Sequence, residues 1–205
     1  MNPKIALLKA LAEFQFNISS RQIPSIPKRD VCLVASLMKR RQVAKGELIL
    51  NVGEVLQDII IIEKGIVRQF YYKNGLDITE QFSSEGQYVV CIESLLLKKP
   101  TNLMIEALEP TTFYTIRFSD LEKLLDKSIS LLNLYRYFAE NNLIFTQYKA
   151  DAMRFESSAT RYAKFIKQFP EAAKRASVKH IASYLLMTPE SLSRVRSKLS
   201  QKDKK

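Results

Sequence analysis

The chain has 205 residues, of which 46% are hydrophobic and 26% charged, as expected for a globular protein with its own core. The formal net charge is +11, and residues 146–205 carry most of it, with 14 Lys or Arg against 5 Asp or Glu. This concentration of positive charge predicts a polyanionic partner such as nucleic acid. The basic segment lacks the broad aromatic-rich face of a membrane anchor, so we expect no membrane partner.

Several classes of site are disfavoured by residue counts alone. Cys32 and Cys91 lie far apart and predict neither a disulfide framework nor a cluster, and His180 is the only histidine. We find no nucleophile–base pair, metal-ligand spacing or phosphate-binding loop, so we predict no catalytic residue, no metal site and no enzyme activity. No run of 18 apolar residues and no signal-peptide pattern occur, and we expect a reduced, cytoplasmic protein.

The first 38 residues predict two helices. Residues 4–16 suit an amphipathic helix, residues 17–27 read as a polar connection, and residues 27–38 suit another short helix. The basic Lys39-Arg40-Arg41 follows, and we interpret it as the transition to a different kind of structure.

Short strands and turns are predicted next. All five glycines lie between Gly46 and Gly86, and Asn74-Gly75 between two apolar runs is a strong hairpin signal. Many short strands with turn residues between them predict a sandwich, barrel or roll. The predicted strands cover residues 48–52, 58–63, 66–72, 76–82, 88–92, 103–108 and 112–118.

A long helix is predicted after the strands. Ser119 and Glu122 suit a capping box at the start of a helix, and residues 128–157 contain neither Gly nor Pro. A 4-3-4-3 spacing predicts a seam that pairs with a second copy, with Asn141 fixing the register. The alternative is a helix that packs only on its own β domain. The seam consists of Leu134, Phe138, Asn141, Phe145, Tyr148, Ala152 and Phe155.

The last third predicts a helix-turn-helix. The pattern of residues 159–169 predicts a helix that ends at Pro170, and residues 178–185 are predicted to form a helix with one apolar face. After a turn at Leu186-Met187, Thr188 suits the N-cap of a second helix and Pro189 its first position. Leu192, Val195 and Leu199 point inward, and the opposite face is polar. A solvated helical hairpin with a charged face is the alternative interpretation.

The opposite face of the second helix suits the DNA major groove, where Arg can read guanine and Glu can accept from cytosine. We predict that Lys179, Arg196 and Lys198 contact phosphates, although an intramolecular ion pair explains Arg196 equally well. The predicted DNA-binding residues are Lys179, Thr188, Pro189, Glu190, Ser191, Ser193, Arg194, Arg196 and Lys198.

Taken together, these segments resemble the Crp/Fnr family of transcription regulators, in a form common among Bacteroidetes members. The glycine-punctuated β segment resembles the family's sensor, and residues 181–185 with 188–194 resemble its helix-turn-helix. The β-segment motifs are Lys45-Gly46-Glu47, Gly53-Glu54, residues 59–65, Asn74-Gly75 and residues 105–109.

The resemblance implies an α+β protein with a double-stranded β-helix (a jelly-roll-like β roll), a long dimerisation helix and a winged-helix-like DNA-binding domain. The expected domains are residues 1–127, 128–157 and 158–205. The resemblance further implies a bacterial homodimer that binds a two-fold symmetric site on double-stranded DNA, with RNA polymerase as another partner. Pro189, Glu190 and Arg194 occupy the family's base-contacting places.

Two departures from the family pattern matter. The family's turn has Gly where this chain has Leu186, so we expect a wider or differently shaped turn. The family's cyclic-nucleotide pocket has a Gly-Glu pair and an Arg-Ser or Arg-Thr pair, which residues 88–103 lack. The nearest candidates for an effector pocket are Glu93, Ser94, Thr101 and Asn102.

Without the bidentate Arg a phosphate loses its best partner, so we expect that cAMP is not the effector. The cysteine and histidine content disfavours an iron–sulfur cluster or haem, and we expect no cofactor, with a small-molecule effector left open. Two function hypotheses remain. The first is a homodimeric sequence-specific transcription regulator with a degenerate pocket, and the second is a cyclic-nucleotide-binding signalling module without a DNA role.

Overall fold

The computed structural model describes residues 2–12 and 22–202, and side chains up to Leu199 in the last helix. The strands are β1 (Lys39–Val43), β2 (Leu48–Leu50), β3 (Asp58–Lys64), β4 (Val67–Lys73), β5 (Leu76–Ser83), β6 (Tyr88–Val89), β7 (Met104–Ala107) and β8 (Thr111–Arg117). The helices are α1 (Pro3–Ala12), α2 (Lys28–Leu37), α3 (Ile92–Leu97), α4 (Phe118–Leu125), α5 (Ile129–Phe155), α6 (Ser158–Gln168), α7 (Pro170–Arg175), α8 (Val178–Tyr184) and α9 (Pro189–Lys202).

The strands form two four-stranded antiparallel sheets. One has the order β1-β8-β3-β6 and the other the order β2-β7-β4-β5. Apolar side chains from both sheets are buried between them, including Ile60, Ile62, Val67, Ile105 and Phe113. The two sheets therefore form the predicted β roll, and strands of both layers contribute to its core.

The β4–β5 hairpin turns at Asn74-Gly75, as predicted. Both residues have positive φ, 51° at Asn74 and 75° at Gly75, and Lys73 pairs with Leu76 across the turn. Positive φ at both central residues is the requirement of the turn that matches strand twist.

One strand was not predicted. β1 pairs along its whole length with β8, although its residues are mostly exposed and three of them are basic. An edge strand with both faces polar has no apolar alternation to detect. Arg40 of β1 forms an ion pair with Glu63 of β3 at 2.6 Å. A residue of the basic run therefore stabilises the sheet.

Several predicted helix boundaries change. α1 confirms the described part of the helix predicted over residues 4–16, and residues 13–21 lie outside the described residues. α2 confirms the second helix. The capping box is wrong, because α4 starts at Phe118 and Arg117 makes no side-chain cap. The strand predicted to reach residue 92 ends at Val89, and α3 takes over.

The C-terminal helices follow the predicted order. Ser128 caps α5, and Ser157 caps α6 after the expected break. Pro170 both ends one helix and begins another, α7, which was not predicted. From residue 157 to 202 the described chain forms helices and no wing strand, so the helix-turn-helix layout is confirmed without a wing.

The C-terminal helices pack on the β roll through an aromatic cluster. Phe82 of β5 lies 5.9 Å from Phe165 and 5.7 Å from Tyr184, measured between ring centroids. Phe169 completes the cluster at 6.3 Å from Phe82. Edge-to-face and tilted aromatic pairs at these distances are favourable, so one apolar cluster joins the predicted domains. Among the helices of residues 2–12 and 22–202, none is long and apolar enough to cross a membrane.

Candidate nucleic-acid interface and effector pocket

The turn between α8 and α9 is set by Leu186. Its φ is 51°, its N–H donates to the carbonyl of Ser183 at 3.0 Å, and the N–H of Met187 donates to the carbonyl of Ala182 at 3.0 Å. This is the bonding pattern of a Schellman motif. The expectation of a wider turn is therefore wrong, because Leu186 adopts the left-handed conformation that glycine takes elsewhere.

The start of α9 is capped as the sequence predicts. The hydroxyl of Thr188 accepts from the N–H of Ser191 at 3.2 Å, and it lies 3.1 Å from the Ser191 hydroxyl. Hydrogen bonds from its own backbone N–H and from Thr188 lower the pKa of Glu190. Glu190 is therefore an anion at neutral pH, and at this position it stabilises the positive end of the helix.

The polar face of α9 is open to solvent. Leu192 is fully buried and Val195 and Leu199 pack against the same cluster, which fixes the rotation of the helix about its axis. The hydroxyl of Ser197 donates to the carbonyl of Ser193 at 3.1 Å. This bond holds the Ser197 side chain against the helix backbone, so it projects little from the polar face. The exposed residues are Thr188, Pro189, Glu190, Ser193, Arg194, Ser197 and Lys198, with Lys179 exposed on α8.

Two predicted DNA-binding residues have intramolecular roles. Ser191 is half-buried and belongs to the cap of α9. Arg196 donates from Nε to the hydroxyl of Tyr162 at 3.0 Å, and its guanidinium lies 5.5 Å from the centre of that ring. Arg196 therefore ties α9 to α6, which is a positioning role that the sequence pattern did not separate from phosphate binding.

Ser183 fixes α8 to the edge of the β roll. Its hydroxyl donates to the carbonyl of Asp77 at 2.7 Å and accepts from the N–H of Thr79 at 2.8 Å. β5 is an edge strand, and Ser183 satisfies backbone groups that would otherwise be unpaired there. The sequence pattern gave no indication of this contact, because it joins residues more than 100 positions apart.

A buried arginine supports this contact from inside the sheet. The side chain of Arg68 is 5% exposed and makes two bonds to the Asp77 carboxylate, at 2.6 and 2.9 Å. It also donates to Glu106 at 2.7 Å and to the Thr79 hydroxyl at 3.2 Å. Burial acts against the Arg68 charge, but these bonds prevail and raise its pKa. The network therefore links β4 to the residues of β5 whose backbone Ser183 contacts.

Arg175 makes a second contact between the halves of the chain. From the end of α7 it reaches Glu85 at 2.6 and 3.0 Å and Glu109 at 2.7 Å. Burial raises the pKa of the Glu85 carboxyl, but the bonds from Arg175 and from the N–H of Gly65 outweigh it and leave the pKa lowered. α7 and α8 are therefore both attached to turns and edges of the β roll.

A small cavity opens on the β roll beside α3. Its volume is about 300 Å³, and it is lined by Tyr71, Glu80, Glu93, Pro100, Thr101, Asn102 and Leu103. Three of the four predicted effector residues meet here. Ser94 does not, because its hydroxyl accepts from the N–H of Leu56 and donates to the carbonyl of Lys99. The Thr101 hydroxyl is engaged by Cys91 and by the N–H of Leu103.

The lining of this cavity contains two glutamates and no Lys, Arg or His among the described residues. Lys149 of α5 pairs with Glu80 from outside the cavity. In residues 2–12 and 22–202 no group of three or more His, Cys, Asp or Glu could hold a metal ion.

Residues 40–128 match the cyclic nucleotide-binding domain family. Among solved structures, FixK2 from Bradyrhizobium japonicum is 20% identical, with a TM-score of 0.71 over 81% of this chain and 86% of that one. A protein from Eubacterium rectale described as a transcriptional regulator of the Crp/Fnr family is 16% identical, with a TM-score of 0.63 over 86% and 85%. The chain has the Crp/Fnr fold.

A third structure with the Crp/Fnr fold is the catabolite activator protein of Thermus thermophilus, 19% identical, with a TM-score of 0.55 over 87% of this chain and 86% of that one. These identities are low, and they establish the architecture. No curated protein sequence matches the chain. The resemblance to the Crp/Fnr family and the β roll with helix-turn-helix layout are confirmed.

The charged side chains that line the cavity on the β roll are Glu80 and Glu93, and its other lining groups are neutral.

The seam of α5 was predicted to face a second copy of the chain, but part of it packs within this chain. Leu134, Asn141 and Phe145 are buried within this chain, and the amide of Asn141 donates to the carbonyl of Tyr137 at 2.8 Å. Phe138 packs against Tyr88 of the β roll. Leu134, Asn141 and Phe145 are therefore covered by this chain itself, and their assignment to a pairing seam is corrected, whereas Phe138 is half-buried. Tyr148 and Ala152 remain accessible and line a groove beside α6.

Proposed function

We propose that the protein is a homodimeric, sequence-specific DNA-binding transcription regulator. The observation that carries this proposal is the exposed polar face of α9, whose opposite side is fixed by Leu192, Val195 and Leu199. A capped helix that presents Glu190, Ser193 and Arg194 outward suits the major groove. The net charge of +9 in residues 146–205 would attract the DNA backbone.

Within this proposal, Glu190 and Arg194 read bases, and Lys179 and Lys198 contact phosphates. Glu190 accepts from a cytosine amino group, and Arg194 donates to a guanine edge. Pro189, Thr188, Ser191 and Ser193 shape the close approach of the helix start. Arg196 keeps α9 in place through Tyr162, so its loss would weaken binding to every sequence.

The test of base reading compares two arginines. Arg194→Ala should weaken binding to a selected duplex by about 5- to 150-fold, which corresponds to roughly 1–3 kcal/mol. Arg154→Ala removes the same charge from the exposed end of α5 and is the control. Anisotropy titrations with the selected and a scrambled duplex measure both. Equal losses for Arg194→Ala on the two duplexes would mean that Arg194 contacts phosphate only.

The homodimer would form through the outer face of α5. This face carries apolar residues at the spacing of a helix pair and is opposite the buried seam. Leu143 is 73% exposed and Leu132 is 44% exposed on it. The stripe consists of Leu132, Ala139, Leu143 and Ala150, interrupted by Arg136 and Thr146. Burying such a stripe against its two-fold copy removes exposed apolar surface from water.

The dimer is tested by sedimentation of Leu143→Asp. The control is Leu8→Asp, because Leu8 is exposed on α1 and the change in charge is the same. We expect Leu143→Asp to sediment as a monomer at concentrations where the parent protein and the control are dimers. A dimer that survives Leu143→Asp would place the interface elsewhere.

The effector pocket is proposed to be degenerate and not to bind cAMP, because the lining offers carboxylates where a phosphate needs a cation. Calorimetry with cAMP should show no binding up to millimolar concentration. Micromolar binding of cAMP together with no sequence preference for DNA would favour the alternative, a cyclic-nucleotide-binding signalling module. RNA polymerase as a partner and a cytoplasmic, bacterial location belong to the same proposal.

A further inference from the structure

A larger cavity lies between α5 and the helix-turn-helix. Its volume is about 550 Å³, and it is separate from the cavity on the β roll. One wall is the C-terminal half of α5 with Tyr148 and Ala152, and the other is α6 with the end of α8. Small-molecule sites in proteins have volumes of about 300–1,000 Å³ and often lie between domains.

The inner surface of this cavity is aromatic. Phe145, Phe165 and Tyr184 line it, and each of them is at least nine-tenths buried. Phe165 and Tyr184 lie 5.4 Å apart, so the surface is held by the same cluster that joins the two halves of the chain. A flat apolar group would find contacts here in a preformed site.

The rim of the cavity is positively charged. Lys149, Arg161, Lys164 and Lys167 line it, against two acidic residues, Asp151 and Glu156. Lys164 pairs with Glu156, and Arg161 donates from Nη1 to the Glu156 carbonyl at 2.9 Å. Among the described residues, Lys167 makes no ion pair, and the buried Nε of Arg161 has no acceptor. The rim therefore has positive charge left for a ligand.

We propose that this interdomain cavity binds an amphipathic organic anion, with one or two fused rings on the aromatic surface and an acidic group at the rim. The ring contacts supply affinity through buried apolar area, and Lys167 and Arg161 favour the anionic group.

The regulatory consequence rests on the proposed DNA-binding function. A ligand in this cavity contacts both α5 and α6, and it favours the orientation of α9 in which both contacts are made. The size of the change in DNA affinity is limited by the difference between the ligand's affinities for the alternative orientations of α9. Lys149 adds a connection to the β roll, because it pairs with Glu80 and lies 5.1 Å from the Tyr184 ring.

The ligand class is tested with two probes of the same shape. Calorimetry on the full chain compares naphthalene-2-sulfonate, an anion, with naphthalene-2-sulfonamide, its neutral counterpart. We expect the sulfonate to bind at least tenfold more tightly. Equal affinities would overturn the assignment of an anionic ligand.

The position of the site is tested with variants. Ala152→Trp fills the cavity from the wall of α5 and should weaken sulfonate binding more than tenfold. Lys167→Glu should weaken it about five- to tenfold through reversal of the rim charge. Lys174→Glu makes the same change on α7, outside the cavity, and should alter it less than twofold. If Lys167→Glu and Lys174→Glu lose the same sulfonate affinity, the proposal is overturned. This comparison does not depend on whether Ala152→Trp folds.

Sedimentation separates a ligand site from a protein interface. If Ala152→Trp converts a dimer to a monomer, the groove holds a second copy of the chain and the proposal is wrong. Arg194→Ala is the remaining control, because it should weaken binding to the selected duplex without changing sulfonate binding. The site and the DNA-binding function can therefore fail independently.

Discussion

Replacing Leu186 tests the origin of the helix-turn-helix geometry. The left-handed conformation at φ 51° costs a residue with a Cβ atom about 1–2 kcal/mol, and glycine is free of this cost. Glycine has more freedom to lose on folding, which offsets about 0.5–1 kcal/mol. Leu186 is largely exposed, but its side chain makes some contacts, so the sharp comparison is between Leu186→Gly and Leu186→Ala, which lose the same contacts.

We expect Leu186→Gly to be more stable than Leu186→Ala by about 0.5–1 kcal/mol, or about 1–4 °C in Tm. Glu122→Gly and Glu122→Ala, on the exposed face of α4, form the control pair, and there the glycine variant should be the less stable by about 1 kcal/mol. Thermal and urea unfolding followed by circular dichroism measure both pairs. If Leu186→Ala equals or exceeds Leu186→Gly in stability, the left-handed turn described for this position is wrong.

Three further predictions follow from the fold and its internal contacts. Gly65→Ala should destabilise the β roll by several kcal/mol, because Gly65 has φ +106° and an added Cβ would lie 2.9 Å from the Thr111 Cα; an unchanged urea midpoint would contradict this. Arg175→Ala should cost about 1–2 kcal/mol and increase hydrogen exchange in α7 and α8, since Glu85 and Glu109 lose their partner. Lys174→Ala, whose exposed pair with Glu171 is weak, should leave exchange there unchanged, and equal effects would show that Arg175 does not hold the helices. The pKa values of Glu85 and Asp77 are lowered from their ordinary values of 4.5 and 3.8, because bonds from Arg175 and Arg68 outweigh burial. The free energy that these two ion pairs contribute is therefore complete above the ordinary pKa values, and it is lost as the pH falls through the lower pKa values of the folded state. Hydrogen exchange in α8 should accordingly rise below about pH 4. Protection that persists in acid would refute the role of these pairs.

Local patterns predicted most of the elements. The strands from residue 48 to 118 and the two helices of the helix-turn-helix carry apolar periodicity, turn residues and caps, which are local signals. β1 lacked such a signal, since an exposed edge strand needs only its backbone bonds to β8. The face of α9 was predicted because Leu192, Val195 and Leu199 fix it by spacing alone.

Contacts between residues that are distant in the sequence could not be predicted from local patterns. The part of the 4-3-4-3 seam from Leu134 to Phe145 lies on a buried face of α5, whereas Tyr148 and Phe155 are exposed. Periodicity does not say which surface covers an apolar face, and here Leu134, Asn141 and Phe145 are covered within this chain. Ser183 and Arg175 contact residues 66 to 106 positions away, which spacing cannot reveal. The outer stripe with Leu143 was hidden because Arg136 and Thr146 interrupt it.

Sequence-specific DNA binding is tested most directly by selection of DNA fragments with the purified chain, without ligand and near physiological salt. We predict enrichment of a two-fold symmetric motif, with half-sites about one helical turn apart, and loss of that enrichment in Arg194→Ala. Salt-sensitive binding to all fragments without an enriched motif would contradict base reading by α9.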